Sequence, residues 1–168
     1  MAKEYSNVEA FIRKYGLEVE TEIKNRLKGA NKVATGKLYR SIKFNIRQSV
    51  KELEASWRME DYGLYVDKGI SGAGIPDGFQ GKMKTLVMNG EFRFKDKMPP
   101  KGSLRKWFKA RSVDKKYDFA IRRSIWIFGI APTNFFTIPT RRRQKQFEAG
   151  LEKAMVKDLD IMIEKQIK

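Results

Sequence analysis

Near the start of the chain, Val8, Phe11, Ile12, Tyr15, Val19, Ile23 and Leu27 recur every three or four positions, the period of one helical face. Ser6 and Glu9 have capping-box spacing ahead of this stripe, and together they predict one helix over about 7–28. Gly16 interrupts it at a cost of about 1 kcal/mol relative to alanine, but the pattern runs on through it. Gly29 to Gly36 reads as a loop, and Leu38, Tyr39 and Ile42 as a short helical turn. The period then drops to two: Phe44 and Ile46 alternate with polar neighbours, as do Leu53, Ala55, Trp57 and Met59. Alternation of this kind predicts strands with one wet face, joined through Gln48 to Lys51.

An aromatic cluster follows, Tyr62, Leu64, Tyr65 and Val66. Gly69, Gly72, Gly74, Gly78, Gly81 and Pro76 then mark a long loop over 69–82. Asn89-Gly90 lies between Leu86-Val87-Met88 and Phe92-Arg93-Phe94, the signature of a tight hairpin. Past Pro99-Pro100, Ser103 is placed to cap a short helix carrying Leu104, Trp107 and Phe108. A stronger helical stripe, Tyr117, Ala120, Ile121, Ser124, Ile125 and Phe128, ends at Gly129, and Pro132 blocks continuation. Asn134-Phe135-Phe136 sits between Pro132 and Pro139 as an extended segment. A last helix is expected over about 141–165, with the stripe Phe147, Leu151, Met155, Leu159 and Met162.

Helix, strands, hairpin and helices in that order predict an α+β fold. In it, a small antiparallel or mixed sheet packs with long N-terminal and C-terminal helices, plus a projecting loop and hairpin at about 69–98. The 168 residues suit a single domain, which we assign to residues 1–168.

Composition narrows the chemistry. Cysteine and histidine are both absent, which excludes thiol catalysis, disulfides, Cys/His zinc sites and histidine triads. The chain lacks a bilayer-length apolar run and, at Met1 to Tyr5, the apolar core of a secretory signal. These features predict a protein made in a reducing, cytosolic setting or in a particle assembled there. Lys and Arg number 36 against 20 Asp and Glu, a formal charge of +16. Such a field attracts nucleic acid, anionic membranes or acidic protein surfaces.

Candidate chemistry is sparse. The glycines from Gly69 to Gly74 lack the strand–loop–helix setting and lysine of a phosphate loop. Asp61 and Asp67, with Glu60 beside the first, match no recognised ion loop. They read as a polar edge, with Arg58 and Lys68 as nearby partners. Lys101, Arg105, Lys106, Lys109, Arg111, Lys115, Lys116, Arg122 and Arg123 form one basic stretch, and Arg141, Arg142 and Arg143 with Lys145 form another. With Trp107 and Phe108 inside the first, this is a candidate surface for non-specific nucleic-acid contact. It carries no motif for reading bases. Asn89, Gly90, Phe92 and Phe94 in the hairpin, with Phe135 and Phe136, are the candidate interface residues. Of the last pair, either one phenylalanine enters the core and the other a partner's pocket, or both belong to the monomer core; the sequence favours neither. No cofactor, metal site or catalytic residue is assigned.

Three stretches carry a resemblance. They are Ala34-Thr35-Gly36-Lys37-Leu38-Tyr39-Arg40-Ser41-Ile42, then Tyr62-Gly63-Leu64-Tyr65-Val66-Asp67-Lys68-Gly69, then Ile121-Arg122-Arg123-Ser124-Ile125 leading to Gly129-Ile130-Ala131-Pro132-Thr133-Asn134-Phe135-Phe136. In this order they resemble the HK97 gp10-like neck or tail-completion proteins of tailed bacteriophages. Departures from the pattern include Gly63 where alanine is common, Ile70 for threonine, and Thr133-Asn134 for Arg-Pro. The resemblance implies a non-catalytic, ring-forming subunit at the portal–tail junction. Its implied partners are its own copies, a portal or connector protein, a tail-tube or terminator protein, and packaged DNA through the basic face. Its implied place is the virion neck, after assembly in the bacterial host cytoplasm. The competing function is non-specific nucleic-acid binding.

Overall fold

A computed structural model describes residues 6–49, 52–73, 90–93 and 98–167. The fold is α+β. Helix α1 spans Ser6–Gly29, followed by the short α2 (Lys37–Ser41) and strands β1 (Lys43–Gln48) and β2 (Leu53–Arg58). Then come α3 (Gly63–Lys68), β3 (Ile70–Ser71), β4 (Phe92–Arg93) and α4 (Arg105–Arg111). A 3₁₀ turn (Lys115–Tyr117) leads into α5 (Asp118–Phe128) and β5 (Gly129–Ile130), and the chain ends in α6 (Thr137–Arg142) and α7 (Gln144–Ile167).

Helix α1 is the organising element. Its stripe is buried from Val8 to Leu27, with Val19, Ile23 and Leu27 fully inaccessible. One side meets the β1–β2 hairpin, which pairs antiparallel with Phe44 opposite Trp57 and Ile46 opposite Ala55. The strands form where the period-two pattern predicts them, but their burial alternates only in part: Ala55 is exposed, and Ser56 and Asn45 are half-buried. The other side meets α7, where Phe147 and Leu151 join Val8, Ile12 and Ala154 in a second apolar cluster.

Gly16 is explained by this packing. The Phe44 ring lies flat on it, so that a Cβ there would stand 2.3 Å from Phe44 Cζ. Trp57 Nε1 also donates to the Gly16 carbonyl at 3.2 Å. Gly16→Ala gains helix propensity of about 1 kcal/mol, but overpacking of a seated ring costs about 1–3 kcal/mol. We therefore expect a net loss of stability, read as a lower urea midpoint at unchanged slope. A midpoint that rises would show that the ring has room to move.

The two terminal helices are tied by a carboxylate. Asp158 of α7, 3% exposed, accepts from Asn7 N (3.0 Å), Val8 N (3.0 Å) and Asn7 Nδ2 (2.7 Å). These are the orphan amides of the first turn of α1, where a negative charge is also favoured by the helix dipole. Burial by itself would raise the Asp158 pKa. The hydrogen bonds from Val8, Asn7 and Ser6 outweigh it and hold the carboxyl below its ordinary 3.8. A depressed folded-state pKa stabilises the fold above the unfolded value and loses that contribution as pH falls through the folded one. Asp158→Ala should cost about 1–2 kcal/mol at neutral pH, the range of a lost helix cap. The difference from the parent should shrink below about pH 4. A gap in urea midpoints that stays constant down to pH 2 would refute this linkage.

Several expectations need correction. The α7 stripe is core only in its first half: Phe147 and Leu151 are half-buried, whereas Met155 and Leu159 are exposed. The residues turned to α1 beyond Leu151 are Ala154 and Asp158. The N-cap of α4 is Leu104, not Ser103, and it makes no side-chain cap. In α5 the buried side chains are Arg122 and Ile127, and the expected stripe is only half-covered or exposed. Pro139 lies inside α6, in its first turn, where a proline removes no helical hydrogen bond. The aromatic cluster at 62–66 is mostly helix α3, to which alternation gave no clue.

Candidate assembly surface

The three stretches that carry the resemblance meet at one place. Leu38 of α2, Ile42 just after it and Phe135 from the segment after β5 belong to the core cluster under α1, and Val66 of α3 packs against it. Ser41 Oγ donates to the Leu38 carbonyl at 2.8 Å and accepts from Glu60 N at 3.1 Å, fastening α2 to the approach to α3.

The α3 contact with the Pro132–Thr137 segment is made by Asp67. This carboxylate is 1% exposed. It accepts from Phe136 N at 2.7 Å, from Thr137 N at 3.3 Å and from the Thr137 hydroxyl. Its backbone carbonyl takes Asn134 N at 2.9 Å and Thr133 N at 3.1 Å. A buried carboxylate needs such a set of donors to offset its desolvation. Asp67 is therefore an internal clasp, not the polar edge expected. The neighbouring charges go elsewhere: Lys68 pairs with Glu91 at 3.2 Å and Lys37 with Glu60 at 2.6 Å. Among the described residues, no group of three or more Asp or Glu is placed to hold a metal ion.

Gly69 and Gly129 close the same node. Gly69 has φ +74°, ψ 171° and Gly129 has φ 84°, ψ −163°, regions that residues with a Cβ avoid. A Cβ on Gly69 would also stand 2.6 Å from Pro132 N, and one on Gly129 2.1 Å from the Ile70 carbonyl. Both are glycines of the resembling stretches. They let β3 lie antiparallel to β5, while β4 adds to the other side of β3 in parallel.

The interface candidates distribute as follows. Phe135 is fully buried in the core, so it offers no surface to a partner. Phe136 is half-buried, with its ring edge-on to Trp57 at 6.3 Å. Gly90 exchanges hydrogen bonds of 2.9 Å with the Ser71 side chain and lies against Gly69, seated in the body of the fold. Phe92–Arg93 pairs in parallel with Ile70–Ser71. The described part of the expected hairpin is thus a strand of the small sheet. Asn89, Phe94 and the rest of that hairpin lie outside the described residues.

What sequence reasoning missed is an aromatic face on α3. Tyr62, Leu64 and Tyr65 are 40%, 49% and 45% exposed. The Phe92 ring leans against Tyr65 at a tilt of 57°, with centroids 4.6 Å apart. Large rings held by a buried clasp, with their faces in solvent, are the side-chain types that anchor protein interfaces.

The basic candidates separate into two groups. Arg122 pairs with Asp118 at 2.7 Å and donates to the Pro99 carbonyl at 2.9 Å. Arg111 donates to Asn31, through both its side chain and its carbonyl. Arg142 and Arg143 bind Glu22 and Glu18 of α1 at 2.6–3.0 Å, and Lys116 pairs with Asp114 at 3.3 Å. Arg111, Arg122, Arg142 and Arg143 are thus fold contacts rather than free surface charge. Lys101, Arg105, Lys106, Lys109, Lys115, Lys116, Arg123 and Arg141 remain exposed. Phe108 is buried beneath them, and Trp107 is at the surface.

No family model, curated protein or solved structure matches the chain. No described helix is long and apolar enough to cross a membrane.

Proposed function

We propose that this chain is a structural virion protein of a tailed bacteriophage that joins or completes the tail at the portal–tail junction as a ring subunit. The observation that carries the reading is the convergence of the three resembling stretches on one core node, clasped by Asp67 and closed by Gly69 and Gly129. Separate chance similarities would have no reason to share one packing site. Around that node the chain offers an aromatic face and a basic surface, features suited to fitting against other subunits. In this reading Tyr62, Leu64 and Tyr65 take the anchoring role first assigned to the phenylalanines at 135 and 136.

The test is co-assembly of the purified chain with the portal and tail-tube proteins encoded beside it, followed by light scattering. Tyr65→Ala with Leu64→Ser should weaken assembly at least tenfold, the effect of losing about 1.4 kcal/mol, while circular dichroism stays unchanged. Assembly that is indifferent to both substitutions would remove α3 from the interface.

A second reading, non-specific nucleic-acid binding, is favoured by the eight exposed basic residues at 101–123 and 141, Lys116 among them. It predicts an affinity for duplex DNA that falls steeply with salt and varies little with sequence. Sequence preference persisting at high salt would contradict it.

A further inference from the structure

Helix α7 has two apolar faces, and the described residues pack against only one. Phe147, Leu151 and Ala154 face α1. At about 100° per residue, Val156, Leu159 and Ile163 point roughly opposite to Ala154, with Met155 on their margin. Their exposures are 51%, 53% and 55%, with Met155 at 51%. An apolar stripe of this kind on a helix already packed elsewhere has no role in the monomer core.

The charges along one flank of this stripe say what covers it. In chain order they run Lys153, Lys157, Asp160, Glu164, all exposed. Each half therefore carries like charges at i, i+4, an arrangement that destabilises a helix by itself. None of the four makes an ion pair with another described residue. Glu164, close to the C-terminus, also opposes the helix dipole. A parallel, in-register neighbour would set lysine against lysine. An antiparallel copy of the same helix sets the basic half against the acidic half, twice. Lys153 with Glu164, and Lys157 with Asp160, are both centred midway between Asp158 and Leu159, close to the middle of the apolar stripe. One two-fold axis satisfies both pairs and the stripe, as an isologous interface requires.

We propose that the outer face of α7 is a self-docking surface, through which two copies of this chain pair antiparallel about a two-fold axis near Leu159. The chain as a whole is strongly basic, with a formal charge of +16, so copies repel one another generally. This stretch is locally balanced, with exposed Lys153, Lys157 and Lys165 set against Glu152, Asp160 and Glu164. A two-fold contact closes on itself and does not build a ring. The inference therefore stands apart from the phage reading, and its failure leaves that reading untouched.

Size-exclusion chromatography with light scattering on the full chain tests it. The mass should rise with concentration from 19.6 kDa towards twice that value. Leu159→Glu with Ile163→Glu should hold it at the monomer mass, with circular dichroism unchanged. The paired variants Lys153→Glu/Lys157→Glu and Asp160→Lys/Glu164→Lys keep the apolar stripe intact. Each alone should be monomeric, and an equimolar mixture should recover the dimer. Because the chain has no cysteine, Leu159→Cys should also cross-link to itself under oxidation. A parent that stays monomeric at every concentration would overturn the proposal. So would an oligomer of any size that persists in both the Leu159/Ile163 and the charge variants.

Discussion

Phe135→Ala is expected to remove about 3–5 kcal/mol of stability, the cost of deleting a buried phenylalanine ring. A domain of this size is stable by about 5–15 kcal/mol, so the variant should have a much lower urea midpoint and unfold in part near 37 °C. The reason is position: Phe135 is fully inaccessible and shares its cluster with Leu27, Leu38 and Ile42. It thereby joins the three segments that define the node. Phe136→Ala is the control. Its ring is half-buried and its main ring contact is the edge-on one with Trp57, so it should cost clearly less. Equal losses for the two variants, or a Phe135→Ala protein as stable as the parent, would place the core elsewhere.

Asp67→Ala is expected to rival it. Removing the carboxylate leaves the Phe136 and Thr137 amides and the Thr137 hydroxyl without their acceptor, beneath a surface that exposes only 1% of Asp67. A buried donor left unsatisfied costs about 1–3 kcal/mol, so a total of about 3 kcal/mol or more follows. A double-mutant cycle with Thr137→Val isolates the link between α3 and the start of α6, and should give a coupling of about 0.5–3 kcal/mol. If the two losses simply add, the hydroxyl contact contributes nothing. Loss of the clasp should also disorder α3 and, with it, the Tyr62–Tyr65 face. Weaker co-assembly is then expected to follow the loss of stability in this variant, whereas Tyr65→Ala lowers assembly alone.

Much of the fold was legible because it rests on local period. The α1 stripe, the alternation of β1 and β2, and the glycine–proline end of α5 each follow from spacing within a short window. The candidate surface was legible only in outline. Asp67 and Asp158 act on residues 69 and 151 positions away, and no window sees such a contact. Asp158 follows Phe147, Leu151 and Ala154 on the buried helical face, whereas the apolar stripe as read ran instead through Met155 and Leu159 and so passed Asp158 by. The basic cluster was overcounted for a related reason. Composition registers Arg142 and Arg143 as charge, but not that Glu18 and Glu22, far back in α1, lie beneath them. Phe135 and Phe136 could not be separated by sequence: the segment expected to be extended is instead a turn, with Asn134 at φ 48° and Phe136 already in the right-handed helical region at the start of α6, and only the packed neighbours decide which ring turns inward.

The central claim is that the chain completes the neck of a tailed phage. If that proposal holds, a tailed phage encodes the chain, and cryo-electron microscopy of its virion is the most direct test. The account predicts a ring of density between portal and tail tube into which this fold fits, with α1 and the Asp67 node recognisable and the Tyr62–Tyr65 face against a neighbouring subunit. A fully traced neck without this fold, in virions from which the chain is absent by mass spectrometry, would contradict it.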